Sequence, residues 1–166
     1  MQTDKFSIPE GTPSVHVTQT MNRSIKDVFD CMIDADISHL FPRRGDVAAI
    51  ISATVQTKDW RIGQERVMTF DDGTSVGETL LTYEPYRFVS YRATHFSSPL
   101  QRQLLKSMEA AWSFTDNGNN TTNVEVSYGL VPANPEAKLV IEQSLLKHVR
   151  SRMETLLSIV NDDLEA

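Results

Sequence analysis

Two residues of opposite charge, one on each side of a predicted hairpin turn, are the first candidates for chemistry. Arg66 and Glu78 flank the Asp-Asp-Gly sequence at 71–73, which favours a tight hairpin turn. Counting back from the turn puts them at nearly facing positions. Arg66 has the strand parity of Met68 and Phe70, so one hypothesis is an inward pair that serves as a polar anchor or acid/base group. The other is an exposed cross-strand pair that contributes well under ~1 kcal/mol.

Two tyrosines on other predicted strands supply further polar groups. Tyr91 and Tyr128 each place a hydroxyl group in a segment rich in β-forming residues. A buried tyrosine hydroxyl needs a hydrogen-bond partner, and a hydroxyl in a pocket orients the polar end of a ligand. A position at the surface is the alternative interpretation for both residues.

The histidines and the cysteine form no metal or nucleophile motif. None of the four histidines lies at a metal-ligand spacing from another ligand type on one element, so we predict neither a metal site nor a cofactor. His95 precedes an irregular Ser-Ser-Pro bend and is a further candidate general base. Cys31 is expected to be a small buried hydrophobe. No nucleophile elbow, phosphate loop or dinucleotide-binding glycine run is present.

The segments that must position these residues are mostly strands. Residues rich in Val, Ile and Thr alternate between turns of Gly, Asn, Asp and Pro, which is typical of short antiparallel strands. The predicted strands are 14–20, 47–57, 65–70, 74–83, 87–96, 107–115 and 122–131.

Helices are predicted before and after this series of strands. Ser24 is a good N-cap for a first helix, and a second helix at 36–41 stops before Pro42. The longest predicted helix is the C-terminal one, at 136–164. Its apolar face consists of Ile141, Leu145, Leu146, Val149, Met153, Leu156, Leu157 and Val160. The charged residues Glu142, Lys147, Arg150, Arg152 and Glu154 are predicted to lie largely off that face.

This order of elements predicts an α+β helix-grip fold. About seven antiparallel strands form a curved sheet around the long C-terminal helix, in the order β-α-α-β6-α. The sheet has to bury one apolar face, and the long helix is the only large partner. A straight helix does not fill the hollow of a curved sheet, so we expect a cavity between them. Residues 1–13 are predicted to be an N-terminal arm and 14–164 a single domain.

Residues that point toward that cavity are the candidate ligand-binding site. The same side chains would be ordinary core if the sheet and helix pack without a gap. The candidates are Arg66, Met68, Phe70, Glu78, Val89, Tyr91, Met108, Trp112, Phe114, Tyr128, Leu146, Val149 and Met153. The leucine-rich link at 100–105 is interpreted as a one-turn helix that caps the core, with an entrance flap or a membrane-touching helix as alternatives.

Charge and composition exclude several classes of partner. The formal net charge is −6 and the lysines and arginines are scattered, so we expect no nucleic acid. A single cysteine forms no internal disulfide. No segment approaches the ~20 apolar residues of a membrane span, and the N-terminus has no secretory pattern. We therefore expect a cytoplasmic protein without integral membrane association.

Several short motifs, taken together, resemble a known superfamily. They are Val28-Phe29, Trp60-x-x-Gly63-Gln64, Asp72-Gly73, Glu78, Tyr83-Glu84-Pro85-Tyr86-Arg87-Phe88, Tyr91-Arg92, Trp112-Ser113-Phe114-Thr115 and Thr121-Thr122-x-Val124. In order and spacing they resemble the START/birch-pollen-allergen-like (SRPBCC) superfamily, and within it the polyketide cyclase/dehydrase-like branch, over residues 15–160. The resemblance implies a cavity for apolar ligands such as lipids, sterols or polyketides. It implies no particular reaction, since such domains share no fixed catalytic motif.

Three functions are compatible with these observations. The first is binding of a hydrophobic small molecule such as a lipid or polyketide. The second is an enzyme that cyclises or dehydrates a polyketide in the same cavity, mainly by positioning it. The third is a protein–protein module of the chaperone-activator kind, favoured by an exposed apolar patch. The sequence leaves the ligand, any catalytic residue and the oligomeric state open.

Overall fold

One antiparallel sheet of seven strands forms the frame of the protein in its computed structural model, which describes residues 6–166. The strands lie side by side in the order β1-β7-β6-β5-β4-β3-β2. Their bounds are β1 Ser14–Met21, β2 Ile50–Ala53, β3 Glu65–Phe70, β4 Ser75–Glu84, β5 Phe88–Phe96, β6 Leu105–Gly118 and β7 Thr121–Pro132. With the C-terminal helix against this sheet, the predicted α+β helix-grip architecture is confirmed.

The helices follow the predicted order. Their bounds are α1 Ile25–Asp34, α2 Ile37–Leu40, α3 Pro99–Leu104, α4 Pro135–Val140 and α5 Leu146–Glu165. The Ser24 hydroxyl accepts a hydrogen bond from the Asp27 backbone N–H, so the predicted N-cap of α1 is confirmed. Helix α3 occupies the leucine-rich link, as the interpretation of that segment as a one-turn helix predicted, and it buries Leu104.

The predicted C-terminal helix is interrupted. Residues Ile141–Leu145 form a π-helical segment between α4 and α5. Such segments are uncommon and are found mainly as single-turn bulges in helices, frequently at functional sites. The hydrophobic periodicity predicted the helix but not this change in winding, because one extra residue in a turn alters the pattern only slightly.

One strand prediction is too long. The predicted strand at 47–57 forms β2 only over Ile50–Ala53, and a 3₁₀ turn follows at Thr57–Asp59. That turn places Trp60 beneath the sheet, where its Nε1–H donates to the Gln64 carbonyl oxygen at 2.8 Å. The β-forming residues of this segment therefore serve partly as a loop that packs on the core.

Strand register aligns the polar candidates in rows. Arg66 on β3 is the Cα partner of Glu78 on β4. Tyr91 on β5 is paired with Ala110 on β6, which is paired in turn with Tyr128 on β7. All five side chains are buried, so these rows lie on the concave face that the C-terminal helix covers.

The N-terminal residues that the structure describes lie on the sheet. The Phe6 ring is 5.9 Å from the Phe88 ring, edge to face. The Ile8 side chain packs over Gly129, and the Pro13 carbonyl oxygen accepts from the Leu130 N–H at 2.9 Å. The rest of the predicted arm, residues 1–5, lies outside the described residues. The division into arm and domain stays a prediction.

Candidate functional site

A cavity of about 130 Å³ lies between the sheet and the C-terminal helix. Its wall is mainly apolar and is contributed by α2, α3, α5, the π-helical segment and strands β2 to β7. The lining residues are Ile37, Phe41, Ile50, Arg66, Met68, Phe70, Val76, Glu78, Tyr91, Ala93, Phe96, Gln101, Leu105, Met108, Tyr128, Leu130, Leu145, Val149, Arg152 and Met153.

The structure brings together most of the residues that the sequence nominated. Those in the cavity wall are Arg66, Met68, Phe70, Glu78, Tyr91, Met108, Tyr128, Val149 and Met153. Those elsewhere are Val89, Trp112, Phe114 and Leu146. Whether any of them binds a ligand stays a prediction.

The strand residues that were wrongly predicted to line the cavity do lie on the concave face of the sheet, but at the end away from the cavity. Val89 and Trp112 are paired across β5 and β6, and both are fully buried. Phe114 lies 5.0 Å from the Phe29 ring of α1, centroid to centroid. Helix α1 therefore fills this end of the concave face. Leu146 is only half-buried and packs at the margin of the core.

Arg152 is the functional candidate that the sequence analysis missed. It was assigned to the polar side of the helix, yet it lines the cavity between Val149 and Met153. The signal was present in the spacing. Arg152 lies three residues after Val149 and four before Leu156, which are both positions on the apolar face. Arg152 was assigned to the polar side because arginine is charged, although its spacing is that of the apolar face.

Arg66 is fixed in the wall by several interactions. Its Nε lies 3.4 Å from the Glu78 Oε1, and its Nη1 donates to the Thr57 hydroxyl at 3.0 Å. Its guanidinium carbon sits 3.7 Å above the centroid of the Trp60 ring, a cation–π contact. Only 1% of the side chain is exposed, so this is the buried pair and not the exposed one.

Glu78 is a buried carboxyl group between two arginines. Burial raises the pKa of this carboxyl above its ordinary value, while the charges of Arg66 and Arg152 oppose the rise. A carboxyl group with a raised pKa holds its proton to a higher pH than an exposed one, which suits a group that transfers protons.

Two tyrosine hydroxyls meet in the cavity wall. Tyr91 and Tyr128 are hydrogen-bonded to each other through their hydroxyl groups. They meet because Ala110, on the strand between them, has a small side chain that leaves room above it. Burial raises the pKa of both hydroxyls, so they remain protonated donors. One hydroxyl hydrogen joins the pair, and the other has no acceptor among residues 6–166.

Arg152 reaches the same region from the opposite side. Its Nη2 donates to the Ala48 carbonyl oxygen at 2.8 Å, and its guanidinium carbon lies 5.3 Å from the centroid of the Phe70 ring. Burial lowers the pKa of Arg152 from its ordinary value, and the nearby Tyr128 and Glu78 counteract this. The cavity thus combines apolar walls with one cluster of hydrogen-bond donors.

The other chemical candidates lie apart from the cavity. His95 is exposed, and its Nδ1 contacts the Glu65 carboxylate. Cys31 is half-buried in α1. Within residues 6–166, no group of three or more metal-ligand side chains is arranged to hold an ion. None of the helices in that range is both long and apolar enough to cross a membrane.

Comparison with known proteins places this arrangement in a recognised fold. Over 92% of this chain and 97% of the other, the structure matches a START superfamily protein from Mycobacterium smegmatis with a TM-score of 0.66 at 12% identity. Norcoclaurine synthase from Thalictrum flavum gives a TM-score of 0.63 at 15% identity, covering 93% and 87% of the two chains. The protein has the START-like fold.

A third match has the same fold. DynU16, a protein in the dynemicin biosynthetic locus, aligns with a TM-score of 0.63 at 13% identity. The START-like chain described here is covered to 93%, and it spans 48% of DynU16. Neither a protein-family model nor a curated protein matches the sequence. The fold is therefore shown by structure alone.

Proposed function

We propose that this START-like protein binds a hydrophobic small molecule in the cavity between the sheet and α5. The observation that carries the proposal is an apolar cavity with one polar cluster, formed by Arg66, Glu78, Tyr91, Tyr128 and Arg152. Apolar walls supply affinity, and a few convergent polar groups set orientation, which is the usual composition of a small-molecule site.

The cost of the cavity supports a functional role. A space of about 130 Å³ next to the core forgoes the van der Waals contacts that a densely packed interior makes. Larger side chains at Ala93 would remove the cost, so the retained hollow favours a ligand site.

The volume of the cavity limits the part of the ligand that it encloses. Engineered cavities of ~150 Å³ take up benzene, so 130 Å³ accommodates a group of about one ring. Norcoclaurine synthase is described in complex with dopamine and hydroxybenzaldehyde, which are one-ring molecules. A lipid or polyketide ligand would place one segment in this cavity and extend beyond it.

Native mass spectrometry of freshly purified protein tests this proposal. A bound molecule appears as extra mass that disappears on denaturation. Ala93→Leu fills the cavity from β5, and Thr94→Leu is its matched control because Thr94 is the next residue and is exposed. We expect the extra mass in the wild type and in Thr94→Leu but not in Ala93→Leu. Extra mass that persists in Ala93→Leu would place the ligand elsewhere.

The cluster also favours a second candidate function, acid–base catalysis on a keto compound. Glu78 has a raised pKa and lies close enough for its charge to act on the hydrogen-bonded Tyr91 and Tyr128. A carboxylate removes a proton next to a ketone while a hydroxyl stabilises the enolate oxygen. Exchange of such protons for deuterium, followed by NMR on a small diketone, tests this. Exchange equal in wild type and Glu78→Gln would exclude it.

A further inference from the structure

The charges in the cavity wall are unequal in number. The guanidinium groups of Arg66 and Arg152 face the single carboxyl group of Glu78 among the described lining residues. A buried charge without a counter-charge is unfavourable because little water is left to solvate it. The wall therefore has an excess of positive charge that an anion would neutralise.

Arg66 does not supply that excess charge to a ligand. Its Nε faces Glu78, its Nη1 donates to Thr57 and its planar face rests on Trp60. These contacts hold the guanidinium group on three sides. Arg66 is therefore the partner that neutralises Glu78, which leaves the second arginine to consider.

Arg152 has the capacity that Arg66 lacks. Among residues 6–166 its side chain makes one hydrogen bond, from Nη2 to the Ala48 carbonyl oxygen. Its Nε and Nη1 have no protein acceptor in that range. The acidic residue Asp71 is close enough to act on Arg152, but both Asp71 oxygens accept from Arg43, at 2.8 and 2.6 Å. Nη2 also keeps its second hydrogen, so one parallel pair of N–H donors, either Nε with Nη2 or Nη1 with Nη2, remains for a ligand.

The geometry of the donors selects the type of anion. A guanidinium group presents parallel N–H donors that match the two oxygens of a carboxylate. The tyrosine pair adds one hydroxyl hydrogen that has no acceptor among the described residues. Around these donors the wall is apolar and holds a group of about one ring.

We propose that the cavity binds a small carboxylic acid with a ring-sized apolar body, and that Arg152 binds its carboxylate. The proposal rests on the proposed function, because it assigns a chemical class to the ligand of the same cavity. A preference for a carboxylate would distinguish this site from one that binds any apolar molecule of suitable size.

Calorimetric titration with two matched probes tests the class of ligand. Phenylacetate and phenylacetamide have nearly the same shape, and only the first is charged. We expect the acid to bind about tenfold more tightly than the amide, since charge-assisted hydrogen bonds are stronger than neutral ones. Trp60 stacks on Arg66 and Trp112 lies 6.3 Å from Tyr91, so tryptophan fluorescence gives an independent readout.

Arg152→Gln should remove the preference for the acid and leave binding of the amide nearly unchanged. Arg150→Gln is the matched control, because Arg150 is an exposed arginine two residues earlier on the same helix and outside the cavity. The acid preference should persist in that variant. Glu78→Gln, which removes the negative charge in the wall, should tighten binding of the acid severalfold. This third variant retains Arg152 and decides the matter if Arg152→Gln does not fold.

The outcomes separate this proposal from the proposed function. Amide binding equal to acid binding, abolished by Ala93→Leu, would overturn the carboxylate and keep the cavity as a ligand site. An acid preference that survives in folded Arg152→Gln would overturn the role of Arg152. Absence of binding of both probes at millimolar concentration would overturn the proposal for ring-sized acids, while the co-purified mass still decides whether the cavity holds a ligand.

Discussion

The concave face of the sheet is filled at one end and hollow at the other. At the filled end, the Phe29 ring of α1 lies 5.0 Å from Phe114 and 5.9 Å from Tyr83. At the hollow end, the same strands carry Ala93 and Met108 beneath α5, with a cavity of about 130 Å³ between them. Strands β5 and β6 run through both ends. The alternation of inward and outward side chains is therefore the same at the two ends and does not explain the difference between them.

The difference lies in what covers each end. Helix α1 places the Phe29 ring directly against the sheet, so no space remains between them. The C-terminal helix changes winding at Ile141–Leu145 and presents Val149, Arg152 and Met153 across a gap. Since a dense interior is the usual outcome of packing, the hollow end is the exception, and the polar cluster lies there.

The largest expected effect compares one substitution at each end of β6. Phe114→Ala should lower the free energy of unfolding by about 4 kcal/mol, because it creates a cavity in a closely packed region. Met108→Ala should cost clearly less, since Met108 already borders open space and is half-buried. Urea unfolding measures both. Equal losses would contradict the contrast between the two ends.

The next effect concerns the buried ion pair at the hollow end. Arg66→Met alone should lower the free energy of unfolding by about 3 kcal/mol, because it leaves Glu78 buried without its partner. The double variant Arg66→Met with Glu78→Gln should regain much of that loss. The same unfolding measurement applies. A double variant no more stable than Arg66→Met would show that an unpaired Glu78 carboxyl group is not the cause of the loss.

A smaller effect compares added volume between the paired tyrosines with added volume at the cavity itself. Ala110→Leu should lower the free energy of unfolding by about 2 kcal/mol, because Ala110 is fully buried between Tyr91 and Tyr128 and a larger side chain there would push the two rings apart. Ala93→Leu, one row closer to the cavity, should be neutral or stabilising by about 1 kcal/mol, since cavity filling commonly stabilises. Destabilisation by both to the same extent would mean that the space beside Ala93 is as tightly packed as the space between the tyrosines.

The smallest effect is a dependence on pH. Glu78 has a raised pKa in the folded state, so its contribution to stability is fully present below the unfolded-state pKa of about 4.3 and is lost as pH rises through the folded-state value. The stability of the wild type relative to Glu78→Gln should therefore decrease from acidic toward neutral pH. Unfolding curves at several pH values give the difference. A constant difference would mean that burial does not govern the ionisation of Glu78.

Much of the architecture followed from local pattern. Alternation and turn residues predicted the strands, and the turn at 71–73 placed Arg66 opposite Glu78, as the register shows. Parity identified the concave face correctly even for Trp112 and Phe114, which do not line the cavity. The site prediction was wrong in two ways. Arg152 was excluded because it is charged, although its helical spacing placed it on the apolar face. Trp112 and Phe114 were included because they share a face with the cavity residues, although they lie too far along β6 to reach the cavity.

The sequence by itself determined the order of elements, the face that each strand buries and the facing of Arg66 with Glu78, because these depend on the two-residue period of a strand and the geometry of a turn. The tertiary structure alone decided which end of that face is hollow. Cavity position depends on the height at which α1 and α5 cross the sheet, and on the winding at Ile141–Leu145. Both are set by packing between segments far apart in the chain, which no local pattern records.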